Sequence, residues 1–294
     1  MITVVPVGGL CNRMRAVDSG IALARATGQR LRVFWILNPR LNCRFDRLFV
    51  VPAAMHRLIQ VPANNPVAGR AWQLYQRLSP RLYDLCLGER EIDELAAGKG
   101  DLARMVAGRD VLVLTYSRYF GRPPFFGDFR PAAPLQRQID EFAARLDNVV
   151  GVHMRRTDQV VSIESSPTDA FVELMRKEVR QDAAVRFFVA TDSPEDENRL
   201  RALFADRIVS RPKRSLDRNN AAAIEDALVD LYCLARCRKL IGSHWSSFTD
   251  TASAIGKMET IIARRTRAPD GGGEGGNERQ DRRTGRQNVR RSGL

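Results

Sequence analysis

The sequence predicts an α/β protein built from two Rossmann-like domains. Three observations carry that expectation. Strand-like and helix-like segments alternate along most of the chain, the pattern of parallel sheets with crossover helices. The first series opens as a βαβ unit around the turn Gly8-Gly9. A second series starts at the apolar run Val149, Val150, Val152 and alternates as far as Ala263. With 294 residues the chain is long enough for two domains of ordinary size. The expected division is 1–147, 148–265 and a tail, 266–294.

In the first half, Ile2–Val7 reads as a strand that Gly8-Gly9 breaks. Met14, Val17, Ile21 and Ala24 then recur at helical spacing, and Gly28 is placed to cap that helix. Leu31–Leu37 is the next strand. Pro39, Pro52, Pro62 and Pro66 punctuate what reads as an irregular stretch. Helices are expected over Trp72–Leu87 and Glu89–Ala96, with Gly88 between them. A strand follows over Arg109–Thr115. Tyr119, Phe120, Phe125 and Phe126 lie in the next loop; they suit a sugar platform or, the favoured reading, an interdomain seam. A helix over Pro131–Leu146 leads to the second half.

There, Val149–Val152 is a buried strand, and a helix follows from Pro167 or Thr168 to Gln181. Val185–Ala190 is a strand, and Thr191-Asp192-Ser193-Pro194 is a helix-entry signal for Glu195–Phe204. A short strand at Ile208–Ser210, a basic loop at 211–220, a helix over Ile224–Arg236 and a strand at Lys239–Ile241 come next. Gly242–Phe248 is a Ser-rich turn before a helix starting near Thr249, and Thr260–Ala263 is the last strand. Beyond 266, glycines lie among Arg, Asn, Gln and Asp with almost nothing apolar. Such a segment cannot offset a backbone entropy cost of ~1–2 kcal/mol per residue, so disorder is expected there.

The hydrophobic share is 44% and the net charge +13. The tail contributes seven arginines against four acids, so the remainder is also basic. Charge alone admits nucleic acid, anionic lipid or an anionic small substrate. No aromatic-basic interleaving or helix-turn-helix pattern supports nucleic acid. No segment is apolar enough to span a bilayer, which leaves room for a peripheral membrane contact. Met1-Ile2-Thr3 leads straight into Val4-Val5, unlike a secretory signal. The five scattered cysteines fit free thiols in a reducing, cytoplasmic compartment. No His/Cys grouping suggests a metal site.

Candidate chemistry concentrates at strand ends, where α/β folds place ligands. The stretch Val149–Val160 reads VVGVHMRRTDQV. Arg155 and Arg156 leave a buried strand there, and guanidinium forks match phosphate oxygens; surface ion pairs, one with Asp158, are the plainer reading. GGLCNRM at 8–14 lets backbone approach a ligand, yet it has neither dinucleotide-fingerprint nor Walker spacing. Asn12 there can cap a helix or face a ligand. Ser246 and Ser247 sit between a strand and a helix, suited to a phosphate or to a cap. Asp192 can bind a ribose or base edge, or cap its helix. Asp230, flanked by Val229 and Leu231, requires a buried partner: Arg155, Arg156, a helix start or guanine's donors.

The three stretches resemble motifs of the fucosyltransferases that use GDP-fucose, most closely the bacterial nodulation-type and core α1,6 group. His153–Asp158 is similar to their H-x-R-R-x-D motif, and 8–13 to their G-G-L-G-N-Q/R loop, with Cys11 in place of a glycine. Residues 226–248, DALVDLYCLARCRKLIGSHWSSF, resemble their C-terminal helix, strand and Ser-Ser turn. The resemblance implies a glycosyltransferase-B fold and metal-independent, inverting transfer of fucose to an oligosaccharide or glycoconjugate hydroxyl, with GDP-fucose as donor substrate and no cofactor. Gly9, Asn12 and Arg13 would face the nucleotide sugar. Arg155 and Arg156 would hold the β-phosphate, His153 would orient the loop or touch the nucleotide, and Asp158 would position an arginine. Asp192 and Asp230 would serve the nucleoside, and Ser246-Ser247 the pyrophosphate.

Besides Cys11, the chain departs from that pattern at three places. Gln159 stands where the α1,6 members have Lys. Ile163 occupies the position of their Glu, with Glu164, the candidate base, one residue on. Thr251 replaces a frequent Arg. Two alternatives follow: the same fold with another nucleotide sugar, or a non-catalytic nucleotide-sugar binder.

Overall fold

The computed structural model describes residues 1–96, 100–156 and 160–265. The expected tail from 266, together with Asp158 and Gln159, lies outside them. The first half contains β1 (Ile2–Pro6), α1 (Leu10–Thr27), β2 (Leu31–Leu37), α2 (Phe45–Leu48), β3 (Met55–Pro62), α3 (Pro66–Leu82) and β4 (Leu85–Leu87). It continues with α4 (Glu89–Ala96), α5 (Leu102–Val106), β5 (Val111–Thr115) and α6 (Ala133–Ala143). The second half begins with β6 (Val149–Met154), α7 (Val160–Ser165), α8 (Thr168–Gln181), β7 (Arg186–Thr191) and α9 (Pro194–Phe204). A 3-10 turn, Ala205–Arg207, leads to β8 (Ile208–Val209), α10 (Ala221–Leu234), β9 (Lys239–Ser243), α11 (Ser247–Gly256) and β10 (Thr260–Ala263).

Each half is a parallel five-stranded sheet. The orders are β3-β2-β1-β5-β4 and β10-β9-β6-β7-β8. The first strand of each half is therefore central, with β2 and β5 beside β1 and β7 and β9 beside β6. The chain winds first to one side and then to the other, so the ends of β1 and β6 are topological switch points. Gly8-Gly9 leaves one and Arg155-Arg156 the other. Among the described residues no helix is long and apolar enough to cross a membrane.

The region between 38 and 110 departs from the sequence reading. The helix expected over Trp72–Leu87 runs instead from Pro66 to Leu82, and Leu85–Leu87 is strand β4. The Asn65 side chain caps that helix by accepting from the N–H groups of Val67 and Ala68. Strand β3 is hidden in the sequence because prolines punctuate the region and its apolar residues do not alternate cleanly with His56, Arg57 and Gln60. It lies at a sheet edge, where exposed His56 and Arg57 are tolerated and discourage further pairing.

The two sheets share one apolar core. Side chains alternate along β6: Val149 joins a cluster that reaches Ile2, Val17 and Trp35, whereas Val150, Val152 and Met154 pack with Phe171, Met175 and Leu200. Helix α10 lies in the shared cluster, with eleven of its fourteen residues buried. The Tyr232 hydroxyl donates to the Phe129 carbonyl at 2.7 Å, and Arg47 pairs with Glu225 at 2.6 Å, both across the halves. Helix α6 packs on α10, and Phe142 meets Phe188 with ring centroids 5.2 Å apart. In the loop after β5, Phe126 and Phe129 are buried and cluster with Phe45 and Phe49, all in the first half. Asp18 fixes that loop through Arg118 (2.6 Å) and the Phe126 N–H (3.0 Å).

Helix α11 sits unusually close to its sheet. A Cβ on Gly242 would lie 2.1 Å from Thr249 Cγ2. Glycine is required there because the helix can approach β9 only over a bare backbone. Gly242→Ala is expected to destabilise the protein by roughly 1–3 kcal/mol, the usual cost of overpacking. Urea unfolding measures it; an unchanged midpoint would show that α11 can shift freely.

Candidate active site

At the switch point of β6, His153 is buried. Its Nδ1 lies 2.8 Å from Thr249 Oγ1, and its ring stacks on Phe248 at 4.6 Å. Burial, with Arg155, Lys213 and Arg156 adding repulsion, pushes the imidazole down to about 3. It is therefore a neutral strut between β6 and α11, which is the loop-orienting half of its expected role.

The two arginines diverge. The Arg156 guanidinium turns into its own domain. Nη1 donates to the Ser166 carbonyl at 2.7 Å and Nη2 to Thr168 Oγ1 at 3.2 Å. Nε lies 3.1 Å from Asp196 Oδ2, an ion pair without hydrogen-bond alignment, and the group stands over Phe171. Arg156 thus fixes the segment that leaves β6, and the expectation that both guanidiniums hold one phosphate is corrected on this point. Its backbone N–H donates to Asp192 Oδ1 at 2.7 Å. Asp192 therefore ties the ends of β6 and β7 together; the cap of α9 is Ser193. Arg155, one residue earlier, is tied by its backbone to the end of β9. Its N–H donates to Ser243 Oγ at 3.0 Å, and its charge reaches the Cys11 thiol at the start of α1. The start of α1 after the Gly-Gly turn and the Arg155 strand end, far apart in sequence, thereby come near one another.

In the Gly-Gly turn, Gly8 adopts φ +83, and a Cβ on it would meet Asn12 Nδ2 at 2.9 Å. Gly9 takes the N-cap position of α1 without a side-chain cap, so Asn12 is not the helix cap. Arg13 is fully buried. It donates to the carbonyls of Gly8 and Ile36 and to Asn38 Oδ1, and stands 5.2 Å from the Trp35 ring centroid. Its expected place in the cleft is corrected: it braces the turn from behind, and burial lowers its pKa.

Helix α11 begins beside α1, held by the Arg15–Asp250 pair at 2.6 Å. Ser246 is buried and caps α11 by accepting from the Thr249 N–H. The first-turn N–H groups of Ser247 and Phe248 lack intrahelical acceptors, as at any helix start. Trp245 just before them is half-exposed and has φ 54, a strained value for a bulky residue. Glu164, on α7, is exposed.

Asp230 is only 3% exposed. Its partners are Arg211 Nη1 at 2.9 Å and Lys213 Nζ at 3.6 Å, rather than Arg155 or Arg156. Burial raises its pKa against the pull of both cations. Lys213 also donates to the Thr191 carbonyl. Arg211 and Lys213 line a pocket of about 520 Å³ with Thr191, Pro194, Glu197 and Ser210, past the end of β7. The sequence signal for this loop was present: buried acids on α10 require cations, and Arg211-Pro212-Lys213-Arg214 precede that helix. Among the described residues no group of His, Cys, Asp and Glu could hold a metal ion.

No family model and no curated protein sequence matches the chain. Solved structures do. A NodZ α1,6-fucosyltransferase soaked with GDP-fucose matches at 18% identity and TM-score 0.59, over 86% of this chain and 92% of that one. The chain shares the fold of that protein. POFUT1 in complex with GDP matches at 15% identity and TM-score 0.54, covering 89% of this chain and 98% of that one. Arabidopsis thaliana FUT1 in complex with GDP matches at 14% identity and TM-score 0.58, covering 89% and 69%.

The depressed His153 pKa has a consequence for stability. The unfolded chain takes up a proton near the ordinary value of 6.5, whereas the folded one resists until about 3. This contribution is complete above the ordinary value and is lost as pH falls through that window. The limiting slope is about 1.4 kcal/mol per pH unit. Urea unfolding between pH 7 and 5 should show a steeper loss for the parent than for His153→Gln; equal slopes would contradict a buried neutral imidazole.

Proposed function

We propose that the chain is a glycosyltransferase that transfers fucose from GDP-fucose to a hydroxyl of an oligosaccharide or glycoconjugate. The observation that carries this reading is that the start of α1 after Gly8-Gly9, the start of α11 and the end of β6 at Arg155 lie near one another. Two helix starts and a guanidinium offer oriented N–H groups and positive charge, the chemistry that holds a pyrophosphate. The fold likeness to proteins solved with GDP-fucose and GDP supports this donor.

In this mechanism the pyrophosphate lies against Arg155 and the α1 and α11 starts, with Asn12 beside it. The nucleoside extends toward Asp192 and the pocket past β7. Asp230 serves that end through the Arg211–Lys213 loop that it holds. The acceptor hydroxyl, deprotonated by Glu164, attacks the anomeric carbon, and GDP leaves from the opposite face with inversion. Arg155 and the helix starts neutralise the charge that develops on the departing diphosphate, a metal-independent route. Each such preorganised group contributes about 3 kcal/mol to the transition state. His153, Arg156 and Arg13 touch no substrate and hold these groups in place. The five thiols are free, which suits a cytoplasmic setting. The departures at Gln159 and Ile163 bear on the acceptor and the linkage.

The two arginines separate an enzyme from a non-catalytic binder. GDP release from GDP-fucose, with a panel of oligosaccharide acceptors, is measured beside thermal unfolding. Arg155→Ala should lower turnover by about 100-fold or more with an unchanged Tm. Arg156→Ala should remove roughly 3 kcal/mol of stability, because Asp196 loses its partner. No GDP release by the parent chain, or full turnover by Arg155→Ala, would overturn the proposal.

A further inference from the structure

Helix α3 presents three distinct faces. One is packed: Trp72 and Tyr75 meet the Phe34 ring at 5.6 and 5.0 Å, and Ser79 is buried. At 100° per residue, a second row is formed by Val67, Ala71, Leu74, Leu78 and Leu82. It is apolar yet turned outward: Val67 is 77% exposed, Leu74 58%, Leu78 40% and Leu82 56%. Soluble monomers seldom leave so regular an apolar row uncovered. Arg70, Arg77 and Arg81 form the third row, alongside the apolar one, and all three are exposed. No acid lies between residues 66 and 82. Exposed His56 and Arg57 lie on β3, the edge strand against which α3 packs.

We propose that α3 is a docking surface for an anionic lipid bilayer. The helix would lie in the interfacial plane, with Val67, Leu74, Leu78 and Leu82 in the acyl boundary and the arginine row on the headgroup phosphates. A basic amphipathic helix has this chemistry, and apolar insertion with clustered arginines supplies the two signals that stable peripheral binding needs. Charge selects the occupant. A second copy packed on the same face would bring arginine rows together. The segment 266–294 is polar and basic, so it matches neither row. The inference is independent of the donor, and α3 contains no residue of the cleft.

The test is co-sedimentation of the full chain with phosphatidylcholine vesicles, with and without phosphatidylglycerol. The parent chain should bind only the vesicles containing phosphatidylglycerol. Leu74→Ser/Leu78→Ser, and separately Arg70→Gln/Arg77→Gln/Arg81→Gln, should each lower that binding by about tenfold or more with an unchanged Tm. Absent binding by the parent, or undiminished binding by both variants, would overturn the proposal. So would a dimer in gel filtration that Leu74→Ser/Leu78→Ser converts to monomer, since that outcome assigns the face to self-association.

Discussion

The structure depends on how α10 is accommodated. This helix lies between the two sheets with Glu225, Asp226 and Asp230 buried on it. An unpaired carboxylate in such a place costs several kcal/mol, so each must meet a cation. Arg214 grips Asp226 at 2.8 Å and reaches Glu225, while Arg211 and Lys213 hold Asp230. Arg47 closes on Glu225 from the other half. These pairs fix the loop before α10 and, with Tyr232, lock one sheet to the other. The helix is held in one rotation, because turning it would strand a buried charge.

Around that frame, several residues of the two motifs serve to hold the strand exits. Arg13 and Arg156 sit inside the two motifs, yet each guanidinium faces inward onto carbonyls, hydroxyls or a carboxylate and lies beside an aromatic ring. They fix the two strand exits. His153 is a third strut, and bare Gly242 allows Thr249 to reach it. Arg155 and the beginnings of α1 and α11 are the groups proposed to meet the ligand. The proposed site would be preorganised, because the helix starts orient their N–H donors through the fold itself.

The sequence revealed the alternation of elements because buried parallel strands are continuous apolar runs, as at Val149–Val152 and Val111–Leu114. It revealed the two switch points because glycine and paired arginine are conspicuous at strand ends. Strand β3 was hidden, since prolines punctuate the region and its apolar residues do not alternate cleanly with its polar ones. The roles within the motifs were also hidden. Neither Arg13 nor Arg156 carries a local sign of facing inward; that follows from what the Ser166 carbonyl, Thr168, Asp196 and the Ile36 carbonyl offer in three dimensions. Asp230 was correctly expected to need a partner, but the partner lay in a loop whose basic character looked like ordinary surface.

The most direct measurement of the central claim is titration calorimetry of GDP, GDP-fucose, GDP-mannose and UDP-glucose with EDTA present. The account predicts that GDP and GDP-fucose bind with the chelator present, that UDP-glucose does not, and that Arg155→Ala abolishes the binding that remains intact in His56→Ala. Binding that requires added Mg²⁺, equal binding of the uridine sugar, or no binding of any of the four would contradict it.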